Sequence, residues 1–222
     1  MGKFVNEQEM FDTMRDKLNA AVISDILDRL GVREQAMRAD IRPVYQGAIV
    51  VGRAYTVLTT DIFQAIDDPY KGEIEAVDSL KSNDIMVVCT NRSTRTCLWG
   101  ELLSTAARAR GARGIVIDGY TRDVAQIKAM QFSTFATATS VVDSAGRSTV
   151  VDHGCPVNCG DVLVNTGDII FGDIDGVVVI PKELEEEVIP LALEKVDKEN
   201  LTRNELLKGT MLKTVYAKYG VL

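Results

Sequence analysis

The sequence predicts a single mixed α/β domain with a parallel β–α–β unit at its centre and a β-rich later half. Three observations predict it. First, "DIMVVCT" (84–90) and "GIVIDG" (114–119) are almost wholly apolar, as strands are when both sheet faces are covered. Second, the segment between them carries apolar or small residues at 99, 102, 103, 106 and 107, the one-face spacing of an amphipathic helix. Third, beyond residue 134 the pattern becomes short β-branched runs punctuated by turn residues. The 222 residues are 46% hydrophobic and 26% charged, enough for one domain with a substantial core. No repeat, low-complexity stretch or Pro/Ser-rich linker divides them.

The elements follow in order. "FDTMRDKLNAAVISDILDRLG" reads as two helical stretches, with Asn19 as an N-cap, Ile23, Ile26, Leu27 and Leu30 on one face, and Gly31 as the stop. "GAIVVGRAYTVLT" (47–59) is a strand by its β-branched content. A polar stretch with Asp67, Asp68 and Pro69 leads to a short helix around 72–80. After strand 84–90 comes the helix from about 99, which ends near Gly111, and then strand 114–119; strand, helix, strand is a parallel unit. A further helix begins near Arg122. "TFATATSVV", "STVVD", "DVLVNTGDIIFGD" and "GVVVIP" are strands with "NTGD" and "DIDG" as turns. A charged helical tail runs from Lys182 to Lys208, with Pro190 as a kink and Gly209 as a stop. This mixture differs from a doubly wound dinucleotide fold.

Composition narrows the function. There are 25 basic against 32 acidic residues, a net charge of −7, so no broad basic surface exists to attract nucleic acid. No apolar run reaches the roughly 18 residues of a membrane helix. The charged start "MGKFVNEQEMFDTMRDKL" lacks the apolar core of a secretory signal, and Asn6 stands where a myristoylation signal needs Ser or Thr. Four cysteines (89, 97, 155, 159) do not suggest a disulfide scaffold. The expectation is a soluble cytoplasmic protein.

Two short stretches carry chemistry. Gly100-Glu101-Leu102-Leu103 opens the central helix, whose unpaired N–H groups and positive dipole end suit a carboxylate or phosphate. Arg122 and Asp123 follow strand 114–119 on the same sheet edge, where α/β proteins place ligands. Glu101 precedes Arg122 by 21 positions, the length of one helix and one strand, so all three can converge. Arg122 suits a substrate carboxylate held by two parallel hydrogen bonds; Asp123 is a hard oxygen ligand for Mg²⁺ or Mn²⁺. A capped helix and a solvated ion pair would explain each stretch taken alone. His153, Cys155 and Cys159 have zinc-like spacing but no fourth ligand, the chain's only histidine being already used. Lys81 and Lys128 sit in polar surroundings, unlike a Schiff-base lysine. There is no G-x-S-x-G elbow, P-loop or G-x-G-x-x-G.

By "VISDILDRLG", "GELLSTAARARGARGIVIDGYTRD" and "GDIDGVVVIP", in that order along most of its length, the chain resembles the RraA-like family, which includes class II 4-hydroxy-4-methyl-2-oxoglutarate aldolases. The resemblance implies an α/β/β swivelling-type fold and a homotrimer with sites between neighbouring subunits. It implies that Asp123 holds the metal and that Arg122 takes the carboxylate of a pyruvyl group, with backbone N–H groups near Leu102 and Leu103. It places Glu101, one methylene longer than the family's usual Asp, where an acid acts through water. Glu199 in "DKENLTRNELLKG" matches a glutamate given by the neighbouring subunit; the acid often found just after the Arg-Asp pair is missing from "RDVAQ". The implied function is metal-dependent cleavage of a 4-hydroxy-2-oxo acid to pyruvate, or decarboxylation of oxaloacetate, through a pyruvate enolate. The alternative within the family is a non-catalytic, protein-binding regulator of ribonuclease E activity. A menaquinone methyltransferase label borne by other members has no glycine-rich loop here to support it.

Overall fold

The computed structural model describes residues 4–221, so the Met1–Gly2 start weighed above lies outside the described residues. In chain order the elements are α1 (Glu7–Lys17), α2 (Ala20–Arg29), β1 (Arg42–Pro43), β2 (Val50–Asp61), α3 (Lys71–Asp78), β3 (Asp84–Cys89), β4 (Cys97–Trp99) and α4 (Glu101–Ala109). They continue with β5 (Gly114–Ile117), β6 (Tyr120–Thr121), α5 (Val124–Ala129), β7 (Ser133–Ala136), β8 (Ala138–Thr139), β9 (Ser148–His153) and β10 (Val157–Cys159). The last are β11 (Val162–Val164), β12 (Ile169–Asp173), β13 (Gly176–Ile180), α6 (Glu185–Leu207) and α7 (Leu212–Tyr219). Among the described residues no helix is long and apolar enough to cross a membrane.

The main sheet runs β1-β7-β5-β3-β2-β12-β13, with β9 also paired to β2. Strands β2, β3, β5 and β7 are parallel neighbours, joined by α3, α4 and α5. Both sides of this sheet are covered, and β12 and β13 show it residue by residue. Ile169, Phe171, Val178 and Ile180 join one apolar cluster with α1, α2 and α6, while Ile170, Val177 and Val179 join the other. A period of two delivers alternate side chains to opposite faces, so a strand buried on both sides must be apolar throughout.

The helix starts are capped as their sequences indicate. Asn6 accepts from the Glu9 N–H and Asn19 from the Val22 N–H, each at 2.9 Å. The start of α2 is tied to the β12–β13 hairpin, since Asp173 Oδ2 accepts from the Ala20 N–H at 2.8 Å. Gly31 and Gly111 stop their helices at φ +83° and +85°, a backbone region closed to most L residues.

Trp99, expected on the helix face, instead ends strand β4, and α4 begins at Glu101. Four further details differ from the sequence expectation for a local reason. Residues 134–142 do not form one strand: at Thr137 the chain leaves β7, its N–H and hydroxyl both donating to the Gly119 carbonyl, and re-pairs as β8 in another sheet. Stretch 161–173 splits into β11 and β12 at a turn closed by Asp168, whose carboxylate accepts from the Asn165 N–H at 2.8 Å. Helix α5 starts at Val124, because Asp123 sits at φ +59° and cannot begin it. Helix α7, beyond Gly209, was not expected, although Leu212, Val215, Tyr216 and Tyr219 have helical spacing.

The second, smaller sheet positions the site. Strands β4, β6 and β8 form a parallel ladder beyond the ends of β3, β5 and β7. Two of its strands lead straight into helices: Trp99 is followed by Gly100 and α4, Thr121 by Arg122, Asp123 and α5. Register in this ladder therefore sets where the two helix starts lie relative to each other.

Candidate functional site

The arrangement begins with Trp99, which is fully buried and stacked on Phe132. Its indole N–H donates to Ser104 Oγ at 2.7 Å, and Ser104 donates to the Gly100 carbonyl at 2.8 Å. Its own carbonyl accepts from the Arg122 N–H at 3.0 Å and from the Thr121 hydroxyl at 3.0 Å. The buried aromatic residue thus fixes the first turn of α4 and the Arg122 backbone together. That is how residues 22 positions apart come to share one site.

At the start of α4, Asp123 Oδ2 accepts from the Glu101 N–H at 3.0 Å. The first-turn N–H groups of a helix have no partner within the helix, so those of Leu102 and Leu103 remain as donors. Gly100 is required by close approach: a Cβ there would stand 2.5 Å from Asp123 Oδ2 and about 3.2 Å from Arg122 Cγ. Arg122 lies 3.0 Å from Asp143 Oδ1 through Nη1 and 3.8 Å from Asp123 Oδ2 through Nε. The Tyr70 hydroxyl donates to the other oxygen of Asp143. Burial opposes ionisation of Asp143, but the Tyr70 hydroxyl, the Ala145 N–H and the Arg122 charge together hold its carboxyl below the ordinary range.

These groups line a cavity of about 360 Å³. Gly100, Glu101, Leu102, Leu103, Arg122 and Asp123, all expected from sequence, lie on its wall. Asp143, Tyr70 and Glu73 lie there too and were not expected. Glu101 turns back along α4, accepting from the Thr105 hydroxyl at 3.0 Å. Glu199 is elsewhere: it pairs with Lys195 at 2.6 Å on α6, beside Thr202, Arg203 and Leu206. Within one chain it does not reach the cavity. Lys81 and Lys128 are exposed and off the cavity wall. His153 Nδ1 stands 2.7 Å from the Tyr55 hydroxyl, and Cys159 is wholly buried, its thiol pushed well up by burial.

The donor set decides what ion would fit. Among the described residues, Asp123 Oδ1 has no hydrogen-bond partner, and no cluster of three His, Cys, Asp or Glu forms a ready-made cage. One carboxylate beside room for water and substrate oxygens fits Mg²⁺ or Mn²⁺, and suits neither a soft ion nor a closed structural site.

Glu73 is the unusual group. It is 5% exposed, its Oε1 has no hydrogen-bond partner, and burial pushes its carboxyl up to about 7, with Ser144 and Arg122 pulling the other way and Asp143 adding to the rise. A folded-state value above the unfolded one means that the protonated acid is favoured by folding. Its contribution is complete below about 4.5 and is lost as pH rises through about 7. The stability of the wild type to urea should therefore fall between pH 5 and pH 8 by up to about 3 kcal/mol more than that of Glu73→Gln. Parallel pH profiles for the two proteins would show that Glu73 is ionised in the fold.

With this geometry in place, the relatives are informative. A family model described as RraA-like (Aldolase/RraA) matches residues 20–179. A protein of Halalkalibacterium halodurans, provisionally named 4-hydroxy-4-methyl-2-oxoglutarate aldolase, is 30% identical over 185 residues, 83% of either chain. Protein DlpA of Legionella pneumophila is 31% identical over 176 residues, 77% of this chain, and the match spans only 27% of DlpA's own length. RraAS2 of Streptomyces coelicolor, described as an unusual member of the RNase ES inhibitor RraA protein family, shares the fold at a TM-score of 0.79. It is 24% identical, and the match covers 89% of this chain and 98% of RraAS2.

Proposed function

The chain belongs to the RraA-like family, and we propose that it is a divalent-metal-dependent carbon–carbon lyase that releases pyruvate from 4-hydroxy-2-oxo acids or decarboxylates oxaloacetate. Lyase chemistry of the aldolase kind is supported at family level by the names of several relatives. The observation that carries the finer reading is the convergence of Arg122, Asp123 and the α4 start on one cavity wall.

Both reactions leave the enolate of pyruvate, whose charge must be neutralised as it develops. Arg122 takes the 2-oxo acid's carboxylate, with the Leu102 and Leu103 N–H groups and the α4 dipole behind it; this fixes orientation before any bond breaks. Asp123 would hold the cation through Oδ1 while Oδ2 stays on the Glu101 N–H. When bound, Mg²⁺ or Mn²⁺ supplies Lewis-acid stabilisation of the enolate. Glu101, steadied along α4 by Thr105, accepts the 4-hydroxyl proton through water during aldol cleavage. Decarboxylation needs no such acceptor, so one site serves both. Glu199 would act from a neighbouring subunit of a homotrimer, since its own chain keeps it away from the cavity. The ribonuclease-regulator alternative assigns no task to this convergence of polar groups, which is why the lyase reading is preferred.

The test is pyruvate release from a panel of 2-oxo acids that includes 4-hydroxy-4-methyl-2-oxoglutarate and oxaloacetate. EDTA should abolish it and Mg²⁺ or Mn²⁺ restore it, and borohydride should trap no pyruvyl adduct. Full turnover in chelator, or a lysine adduct, would exclude the metal-dependent mechanism.

A further inference from the structure

Glu73 lies on the first turn of α3, on the crossover between β2 and β3, and no role above uses it. It falls on the buried side of that helix with Ala76 and Val77. A buried acid with one oxygen lacking any partner is costly, and native interiors rarely leave such a group unexplained. Here the orphaned oxygen belongs to a side chain that lines the same cavity as Arg122 and Asp123. A carboxyl needed only for packing could be an amide or a methionine. One kept buried against the reacting space, with an oxygen that nothing among the described residues satisfies, is placed to exchange a proton with a ligand.

We propose that Glu73 is the acid that protonates C3 of the pyruvate enolate. This rests on the lyase reading. The enolate's electron pair forms the new C3–H bond, the Glu73 O–H bond breaks, and its electrons remain on the carboxylate. The product is pyruvate with a methyl group, and Glu73 regains its proton from solvent. The same step ends aldol cleavage and decarboxylation, because both deliver the same enolate. Burial pushes the carboxyl up to about 7, so a large share of it carries a proton near neutral pH, and the Arg122 charge and Ser144 favour the carboxylate left after transfer. Asp143 and Tyr70, the other titratable groups on this side, are already bonded to each other.

The step run backwards gives the test. With Mg²⁺ or Mn²⁺, the wild type should exchange the methyl protons of pyruvate for deuterium in D₂O. Glu73→Gln keeps shape and neutrality but carries no transferable proton, so exchange should fall on the order of tenfold or more, with kcat reduced and KM little changed. Should the glutamine variant not fold, Glu73→Met, which leaves no polar atom unpaired, takes its place with the same expected loss. Wild-type exchange rates in a folded variant overturn the assignment while the lyase reading stands. A wild type inert toward pyruvate and all 2-oxo acids overturns both.

Discussion

Asp123→Asn is expected to lower lyase turnover by roughly a thousandfold at ordinary Mg²⁺ or Mn²⁺ concentrations while leaving the fold intact. The substitution is clean for a structural reason. Asp123 occupies the left-handed region at φ +59°, which Asn tolerates about as well as Asp. Its Oδ2 accepts from the Glu101 N–H, and an amide oxygen can do the same. With that bond kept, the amide nitrogen lies where Oδ1 lay, so a donor faces the position proposed for the cation. Ligand charge and ligand atom are lost together. Metal titration should show weakened Mn²⁺ binding, excess Mn²⁺ should recover part of the turnover, and the melting temperature should stay within a few degrees of wild type. Near wild-type turnover, or a large loss of thermal stability with unchanged Mn²⁺ affinity, would remove Asp123 from the metal site.

What could be read from sequence was what a single β–α–β unit determines. Gly100, Glu101, Leu102, Leu103, Arg122 and Asp123 belong to consecutive elements, so helix length and strand length place them at one sheet edge, and the cavity wall contains all six. Asp143 escaped because it reaches Arg122 from the loop after β8. Its position depends on the chain stepping from the main sheet to the small one at Thr137, and no local pattern announces that step. An acid was sought just after the Arg-Asp pair; the acid beside Arg122 lies 20 positions beyond Asp123.

Glu73 was different: its signal was present and went unused. In "KGEIEAVDSL", Glu73 heads a stripe with Ala76, Val77 and Leu80, the i, i+3, i+4, i+7 positions of one helix face, and all four are buried. An acid at the head of an apolar stripe is worth flagging, because burying it unpaired has a cost that exposed Glu75 avoids. Glu199 illustrates the opposite limit. Its helix was legible from charge and spacing, but its proposed place depends on a second copy of the chain, which one chain's pattern cannot specify.

Arg122→Lys separates the carboxylate-holding role from everything else Arg122 does. The guanidinium stands between Asp143 and Asp123, 3.0 Å from the first and 3.8 Å from the second, with its side chain 36% exposed. Ion pairs that open to solvent add only about 0–1 kcal/mol to stability, and lysine keeps the charge, so the melting temperature should barely move. Recognition is another matter. A planar fork can meet both oxygens of a substrate carboxylate while staying anchored on Asp143, whereas an ammonium offers a compact charge with no fixed plane. Losing one charge-assisted hydrogen bond and the orientation it enforced should cost about 3 kcal/mol, roughly a hundredfold in kcat/KM. The loss should appear in KM and in weaker product inhibition by pyruvate, with Mn²⁺ affinity preserved and no recovery at high Mn²⁺. That is the reverse of the Asp123→Asn pattern. If the lysine variant instead lost stability and kept its kcat/KM, Arg122 would be an ordinary structural ion pair and the carboxylate site would have to lie elsewhere.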